Sequence, residues 1–262
     1  MGGNTLANLT IPDLSGKAVL VTGASTGIGA DLARAFAAQG ALVGLHYNSS
    51  AEAARRLADE IFEAGGRVHL VQGDASRSAE IRRVVEETAA AFGRLDGLIN
   101  NAGGMVGRVP YQEMTDEYYD AVMDLNARSV VIGSQAAIPY LKERGGFIIN
   151  TTSIAARNGA AGGAGIYGSS KAFVSNVTRG MAKELIPFGI RVNAVAPGTI
   201  ATPFHERYST KAHLDAALTT IPQGRLGVAQ DCVGAYLFLA SDNLSGFVIG
   251  QVIEVNGGQL MP

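Results

Sequence analysis

Short apolar runs alternate with amphipathic stretches along most of this chain. The first run covers residues 18–21, and in the stretch after it Ile28, Leu32 and Phe36 recur at helical spacing. Short apolar runs with few charges are typical of parallel strands, which are buried on both faces. Their alternation with helices predicts a single α/β domain over residues 1–262, with residues 1–16 as a loose lead-in. We expect a doubly wound parallel sheet of about seven strands, with helices on both faces.

The same patterns place the individual elements. Strands are predicted over residues 18–21, 41–45, 67–72, 95–99, 147–150, 190–195 and 252–255. Helices are predicted over residues 27–39, 51–64, 76–92, 115–141, 167–186, 211–218 and 231–240. Ser76 and Thr115 have side chains suited to cap the helices that they begin, and Gly40 is suited to end the first helix. Phe62 is expected to face inward with Ile61.

Residues 22–29 read TGASTGIG and connect the first strand to the first helix. Glycines in this turn keep side chains away, and the free N–H groups of a helix N-terminus hold a pyrophosphate well. The spacing is neither G-x-G-x-x-G nor the P-loop, which requires a lysine. It favours the first half of a dinucleotide-binding fold, although a tight strand–helix turn without a ligand has the same glycines.

Composition narrows the possible classes of protein. The chain is 47% hydrophobic, has a formal net charge of −2 and lacks a basic cluster, so we predict no nucleic-acid partner. No apolar run reaches the ~18 residues of a membrane span, and the first ten residues lack the features of a secretory signal. Cys232 is the single cysteine, which suits a reducing compartment. We expect a cytoplasmic protein with no membrane partner and no metal site.

Several polar or glycine positions directly follow predicted strands, among them Asp74, Asn101, Ser153 and Gly198. Each has a purely structural interpretation: Asp74 begins a turn, Asn101 bonds its own loop, and Ser153 caps a helix. The carboxyl ends of parallel strands meet at one edge of a sheet, which is where ligands of such folds bind. The coincidence of these residues at that edge therefore favours a common site.

Tyr167 and Lys171 are four positions apart and share one helix face. A tyrosine pKa of about 10 is too high for ready proton exchange at neutral pH, and a nearby ammonium lowers it. The pair is therefore a candidate general acid or base. A buried tyrosine beside a lysine with an extended stem is the structural alternative. Ser153 lies 14 residues before the tyrosine, across a glycine-rich loop that can fold it back.

Together these motifs resemble the short-chain dehydrogenase/reductase family, and especially its members similar to 3-oxoacyl-acyl-carrier-protein reductases and sugar dehydrogenases. Residues 22–29 resemble the TGxxxGIG cofactor motif, residues 100–103 the NNAG motif, and residues 167–171 the YxxxK motif, with Ser153 in the serine position. Residues 197–202 resemble the PG motif and the threonine after it. The resemblance covers residues 17–259 and implies a Rossmann fold.

The resemblance implies hydride transfer between a nicotinamide cofactor and a small-molecule carbonyl or secondary alcohol. Tyr167 would exchange the proton with the substrate oxygen, Lys171 would lower the tyrosine pKa and bind the nicotinamide ribose, and Ser153 would orient the substrate. Asn126 would connect the lysine to a water chain, unless it only bonds locally. The residues implied to contact the cofactor are Gly23, Ser25, Thr26, Gly27, Ile28, Gly29, Tyr47, Asn48, Ser49, Asp74, Ala75, Asn101, Ala102, Gly103, Tyr167, Lys171, Pro197, Gly198, Ile200 and Thr202.

One interval departs from the family pattern. The serine-to-tyrosine interval is usually 13 residues in the family, whereas here it is 14. We expect the extra residue in the loop over residues 160–165, with Thr152 as an alternative to Ser153 as the polar partner of the tyrosine.

The end of the second predicted strand bears on cofactor choice. NAD enzymes of this fold place a carboxylate there for the ribose 2′-OH, but residues 45–50 read LHYNSS, with Tyr47 near the acidic position. Asn48 and Ser49 can donate hydrogen bonds to a 2′-phosphate, whereas Thr26 stands where many NADPH-using members carry arginine. We therefore expect NADP(H) to be preferred modestly, with NAD(H) also possible.

The alternative function is a catalytically inactive cofactor-binding scaffold or regulator with the same fold. Retention of Ser153, Tyr167, Lys171 and Asn126 argues against it. The loops over residues 105–112 and 203–222 are expected to line the substrate pocket. Apolar residues on more than one face of the helices over 115–141 and 167–186 predict a subunit interface, and the family implies a homotetramer.

Overall fold

The computed structural model describes residues 10–261. Over this range a parallel sheet has the strand order β3-β2-β1-β4-β5-β6-β7. Its strands are β1 (Ala18–Val21), β2 (Leu42–Tyr47), β3 (Arg67–Gln72), β4 (Gly97–Asn100), β5 (Gly146–Thr151), β6 (Ile190–Pro197) and β7 (Val252–Val255). The predicted seven-stranded, doubly wound α/β fold is therefore confirmed.

Helices connect the strands. They are α1 (Gly27–Ala38), α2 (Ala51–Glu63), α3 (Ser78–Phe92), α4 (Asp116–Met123), α5 (Ser129–Leu141), α6 (Ala155–Asn158), α7 (Gly165–Leu185), α8 (Pro203–Tyr208), α9 (Lys211–Thr219), α10 (Ala229–Ala240) and α11 (Asp242–Ser245). Short 3₁₀ turns occur at Pro12–Leu14, Tyr111–Glu113 and Ile186–Phe188.

The two faces of the sheet bury separate cores. On one face, Val19 of β1 packs in a cluster with Phe36 of α1 and Tyr236 of α10. On the other face, Leu20 of β1 packs with Val85 of α3, and α5 and α7 contribute to the same cluster. Neighbouring residues of a strand point to opposite faces, so a strand covered on both sides needs apolar side chains at every position. This requirement explains the unbroken apolar runs in the sequence.

Two side-chain predictions on the outer helices are wrong. Phe62 is 75% exposed, because α2 turns Leu57 and Ile61 toward the sheet and leaves Phe62 on its outer side. Ser76 does not cap α3. Its N–H and hydroxyl both donate to the Asp74 carboxylate, at 2.9 and 2.7 Å, so its side chain serves the turn before the helix.

Other element boundaries differ by a few residues. The predicted helix over 115–141 is interrupted by a π-helical turn, Asp124–Arg128, between α4 and α5. Thr115 caps α4 as predicted, since its side chain accepts from the Tyr118 N–H. Strand β2 extends to Tyr47 and β6 to Pro197, two residues beyond the predicted ends.

The part of the lead-in that the structure describes is packed on the domain. Leu14 is fully buried, and the Asp13 carboxylate accepts hydrogen bonds from the Ser241 hydroxyl and from the backbone N–H groups of Asp242 and Asn243 at the start of α11. Residues 10–16 are therefore not loose, and residues 1–9 lie outside the described range. Between residues 10 and 261, no helix has the length and apolar character needed to cross a bilayer.

Candidate functional site

A cleft of about 510 Å³ opens at the carboxyl edge of the sheet. Its lining includes Gly23 after β1, Asn101 after β4, Ser153 after β5 and Gly198 after β6. Strands β1 and β4 are neighbours although β2 and β3 follow β1 in the chain, so the winding reverses between them. A crevice at such a reversal is where open α/β sheets bind ligands.

The glycine turn has room only for a bare backbone. A Cβ on Gly29 would lie 2.2 Å from the Gly23 carbonyl oxygen and 2.6 Å from Nδ2 of Asn101. Gly23 has a φ of +64°, and a Cβ there would lie 2.9 Å from Cα of Ala102. The turn thus packs directly on the loop after β4, and helix α1 begins at Gly27 with its N-terminus at the cleft. This arrangement fits a dinucleotide pyrophosphate.

Thr22 and Asn101 fasten the glycine turn to the loop after β4. The Thr22 hydroxyl accepts from the N–H groups of Asn101 and Ala102, both at 3.0 Å, and donates to the Ile99 carbonyl. Nδ2 of Asn101 donates to the carbonyls of Thr22 and Gly23, at 3.0 and 3.1 Å. The side chains of Asn101 and Thr22 therefore hold the two loops together at the cleft wall. This role of Thr22 was not predicted from the sequence.

The wall near the ends of β2 and β3 is polar and uncharged. Asn48, Ser49 and Ala75 line the cleft, as predicted. Tyr47 does not: it is buried in the core cluster beneath the sheet edge. The Asp74 carboxylate is likewise engaged in its own turn and does not line the cleft. The side chains of Tyr47 and Asp74 therefore support this wall from behind.

Tyr167, Lys171 and Ser153 meet at the opposite end of the cleft. Helix α7 carries the first two on one face, and the Lys171 ammonium lies 5.8 Å from the centroid of the Tyr167 ring. The ammonium donates to the Thr151 carbonyl at 2.9 Å, which ties α7 to the end of β5. Thr152, the alternative partner, donates its hydroxyl to the Lys171 backbone carbonyl.

Burial governs the ionisation of both residues. It raises the pKa of Tyr167 to about 12, against the opposing effect of a side-chain hydrogen bond with Ser153. It lowers the pKa of Lys171 to about 8. The expected lowering of the tyrosine pKa is not found, because burial removes the phenolate from water and this effect is larger than that of the Ser153 hydrogen bond. Burial therefore favours the protonated form of Tyr167 at neutral pH.

Asn126 lies in the π-helical turn and is fully buried behind the cleft wall. Its Oδ1 accepts from the Gly104 N–H at 3.1 Å, and its Nδ2 donates to the carbonyls of Gly104 and Val122 at 2.8 and 2.9 Å. A Cβ on Gly103 would lie 2.8 Å from Oδ1 of Asn126 and 3.0 Å from Nζ of Lys171. Only the bare Gly103 backbone therefore separates the asparagine from the lysine.

Helix α8 closes the cleft beside the tyrosine. The Phe204 ring packs against Tyr167, with centroids 5.7 Å apart, and against Tyr208 at 5.1 Å. Nε of Arg108 donates to the Tyr208 carbonyl at 2.6 Å, and its Nη1 donates to the carbonyls of Ala161 and Gly162. Arg108 thereby joins three loops around the substrate end.

The two loops predicted to line the pocket contribute in part. The cleft lining contains Met105 and Arg108 from the first loop and residues of α8 from the second, whereas α9 does not reach it. The loop between Ser153 and Tyr167 is tight over residues 159–163, where Gly159, Ala160, Gly162 and Gly163 all have positive φ. Tyr167 keeps its place at the cleft.

Most of the predicted site residues line one cleft. They are Gly23, Ser25, Thr26, Gly27, Ile28, Gly29, Asn48, Ser49, Ala75, Asn101, Ala102, Gly103, Ser153, Tyr167, Lys171, Pro197, Gly198, Ile200 and Thr202. His46 and Gln259 also line the cleft, and neither was predicted from the sequence to do so. A histidine inside an apolar strand was the one available signal for His46. Among the described residues, no group of three His, Cys, Asp or Glu side chains is arranged to hold a metal ion.

Comparison with known proteins connects this site to an enzyme family. Residues 23–259 match the family model described as enoyl-(acyl carrier protein) reductase. The chain is 39% identical over 246 residues to 3-oxoacyl-[acyl-carrier-protein] reductase FabG of Thermotoga maritima, covering 94% of this chain and 98% of that protein. It is 38% identical over 249 residues to the 3-oxoacyl-[acyl-carrier-protein] reductase of Synechocystis sp., covering 95% of this chain and 98% of the relative.

Solved structures give the same result. The NADH-dependent reductase A1-R′, responsible for alginate metabolism, superposes with a TM-score of 0.88 at 39% identity, over 96% of this chain and all of that one (100%). The same reductase complexed with NAD has a TM-score of 0.86. A short-chain dehydrogenase from Burkholderia cenocepacia in complex with NADP has a TM-score of 0.88 at 34% identity, over 94% of this chain and 99% of that one.

Proposed function

The chain belongs to the short-chain dehydrogenase/reductase family, and from this premise we propose that it reduces a small, polar carbonyl compound with a modest preference for NADP(H). It is a nicotinamide-dependent oxidoreductase that interconverts carbonyl and secondary alcohol groups. The observation that carries the proposal is the meeting of Ser153, Tyr167 and Lys171 at one end of a cleft whose lining, among residues 10–261, contains no aspartate or glutamate.

The reaction assigns a role to each of these side chains. When bound, the nicotinamide ring supplies the hydride that forms the new C–H bond at the carbonyl carbon. Tyr167 gives its hydroxyl proton to the carbonyl oxygen, and Ser153 donates a hydrogen bond to the same oxygen. The Lys171 ammonium stabilises the tyrosinate that remains and binds the nicotinamide ribose. In the oxidising direction the same residues take the proton back.

Preference for NADP(H) is supported by the polar wall after β2. Ser25, Thr26, Asn48 and Ser49 line this part of the cleft and can donate hydrogen bonds to a 2′-phosphate. A carboxylate there would repel the phosphate, and none lines the cleft among the described residues. Arginine, the strongest phosphate partner, is also missing from this wall. We therefore propose a preference of roughly tenfold, or about 1.4 kcal/mol.

The test is to compare kcat/KM for NADPH and NADH with one carbonyl substrate. A value roughly tenfold higher for NADPH is expected. Higher efficiency with NADH would show that the neutral wall does not select the phosphate. Cofactor binding without turnover on a broad panel would instead support the inactive scaffold.

The substrate end favours a carbonyl compound that carries negative charge. Arg108 and Arg207 line the cleft there, and neither forms an ion pair with a described residue. A cleft with cations and no carboxylate concentrates anionic ligands. A screen should therefore include acyl thioesters and sugar acids beside neutral sugars and cyclic ketones. Higher kcat/KM for an oxo acid than for its neutral ester is expected, and the reverse order would contradict this substrate class.

Assembly as a homotetramer and a cytoplasmic location complete the proposal. Tetramer formation is supported by half-exposed apolar side chains on α5 and α7.

A further inference from the structure

His46 is a buried histidine at the carboxyl end of β2 that no catalytic step uses. Its side chain is 1% exposed, yet it forms part of the cleft lining. Nδ1 lies 3.0 Å from the Gly23 backbone nitrogen, and Nε2 lies 2.9 Å from the Gly73 carbonyl oxygen. The His46 backbone carbonyl also accepts from the Ala24 N–H at 2.7 Å. One residue therefore connects the glycine turn with the end of β3.

These contacts define the state of the ring. The Gly23 N–H can only donate, so Nδ1 must be the unprotonated acceptor, and the Gly73 carbonyl can only accept, so Nε2 carries the hydrogen. An imidazolium would place a second donor against the Gly23 N–H. Burial also lowers the pKa of His46. Geometry and burial both select the neutral ring.

We infer that His46 is a positioning residue which, as a neutral imidazole, holds the glycine turn and the β3 end in the arrangement that binds the dinucleotide. The inference rests on the use of a nicotinamide cofactor. Because His46 takes the Gly23 N–H, that group is not free for a phosphate, and the turn is shaped before the cofactor arrives. The β3 end is fixed by the same ring, and it carries Ala75 into the cleft wall. Such preorganisation raises affinity by lowering the ordering cost of binding.

The charged groups that act on His46 are Asp74, which raises its pKa, and Arg83, which lowers it. The glycine turn over residues 22–29 contains no titratable side chain. Protonation of the ring at acid pH breaks the bond to Gly23, so cofactor binding weakens below the pKa of His46.

The test measures the binding of NADPH and NADH directly by nicotinamide fluorescence in three variants. The KM of the cofactor and the KM of the carbonyl substrate are measured in the same variants. In His46→Leu both ring contacts are lost, and cofactor binding is expected to weaken roughly tenfold with little change in the KM of the carbonyl substrate. In His46→Asn the amide oxygen can replace Nδ1 as the acceptor for Gly23, so affinity is expected to stay close to wild type. His69→Leu is the matched control. His69 lies in β3, where it packs edge-on against Phe92 of α3, and it does not line the cleft.

The outcomes separate this inference from the proposed function. If the wild type binds neither nicotinamide cofactor, the proposed function fails. If it binds and His46→Leu binds equally well, or His69→Leu weakens binding as much, the positioning role is overturned. If His46→Leu does not fold, the result for His46→Asn is decisive. Cofactor affinity equal to that of the wild type at neutral pH, without a loss of affinity at acid pH, supports the positioning role. An acid profile identical to that of the wild type refutes it.

Discussion

Tyr167 and Lys171 are 7% and 3% exposed, and burial shifts both pKa values against the charged forms. A tyrosine that keeps its proton at neutral pH is a proton donor that needs stabilisation only as the proton leaves. In the proposed reaction the adjacent ammonium, held by the Thr151 carbonyl, would supply that stabilisation as charge develops. That Tyr167 and Lys171 share one helix face was predictable from their spacing, but the direction of the tyrosine pKa was not, because spacing contains no information on burial.

Replacing Tyr167 with phenylalanine tests the proton donor. Tyr167→Phe removes the transferable proton and keeps the ring that packs against Phe204, so kcat is expected to fall by roughly 10²–10⁴-fold with cofactor affinity little changed. Steady-state kinetics and a cofactor titration measure the two effects. Tyr119→Phe, on the exposed side of α4, is the control and should leave both unchanged. Near-normal kcat in Tyr167→Phe would remove Tyr167 from the mechanism.

Stability should fall at acid pH because of His46, which is buried, and His205, which is half-buried. Burial lowers the pKa of His46 and of His205 below the ordinary value, so the unfolded chain binds more protons once the pH falls through about 6.5. The stabilisation is complete above that pH and is lost as the pH drops toward the folded-state pKa values. We expect a lower Tm at pH 5.5 than at pH 7.5, with a smaller decrease in His46→Asn. His213→Asn, on α9, serves as the reference variant. If the decrease in Tm between pH 7.5 and pH 5.5 were as large in His46→Asn as in the wild type, the prediction would be wrong.

At the scale of elements, apolar periodicity predicted what depends on burial and missed what depends on long-range contact. Strand β1 agrees with its predicted bounds, because a strand inside a sheet needs an apolar run. The edge strands β3 and β7 also agree with their predicted bounds, although they are only partly buried. Helix α8 was not predicted, because its position depends on Arg108 and on aromatic packing against Tyr167. The glycine spacing likewise predicted the turn after β1. It did not predict the contacts of His46 with Gly23 and Gly73, because these residues are 23 and 27 positions from His46 in the sequence.

The π-helical turn illustrates a local feature that needs tertiary structure to explain it. It places Asn126 against the loop after β4, where the amide satisfies both polar groups of Gly104. The sequence alone left open whether Asn126 bonds locally or serves the site. The structure shows one local bond, to the Val122 carbonyl, and two bonds to the cleft wall.

Removing this amide should destabilise the domain. Asn126→Ala leaves the buried N–H and carbonyl of Gly104 without these partners, so the free energy of unfolding is expected to fall by about 1–3 kcal/mol. Urea denaturation measures the change. Gln112→Ala, at an exposed position outside α5 and α7, should stay within about 0.5 kcal/mol of wild type. A fully stable Asn126→Ala variant would mean that the loop finds other partners and that Asn126 does not hold it.

At the scale of the whole molecule, topology determines where the chemistry occurs. The reversal between β1 and β4 creates a crevice, and the loops that follow β1 to β6 all contribute residues to its lining. That placement follows from the order of strands and was predictable once the alternation of elements was recognised. The shape of the substrate end was not predictable from the sequence, because loops form it and tertiary packing determines their contacts. The hydrogen bonds of Arg108 with residues 161, 162 and 208 are examples.

The outer faces of the single chain leave apolar surface uncovered in two places. On α7, Phe173 is 41% exposed, and Val177 and Met181 on the same helix are half-buried. Near the edge strand β7, Phe247 is fully exposed, and residues Val252–Val255 are all half-buried. The place on α7 lies where the sequence predicted a subunit contact, and exposed apolar patches of this kind mark interaction surfaces.

We predict that the protein is a homotetramer in which α5 and α7 form one interface and the β7 region forms the other. Light scattering at micromolar concentration should therefore give a mass four times that of the 27.1 kDa chain. Phe173→Glu places a charge inside the first interface, and Phe247→Glu places one at the second, so each should reduce the mass to that of a dimer. Phe62→Glu introduces the same change on α2, outside both surfaces, and should leave the tetramer intact. A monomeric wild type would refute the assembly. A tetramer that survives both interface substitutions would show that the copies meet through other surfaces, because a buried, unpaired carboxylate cannot be accommodated without cost.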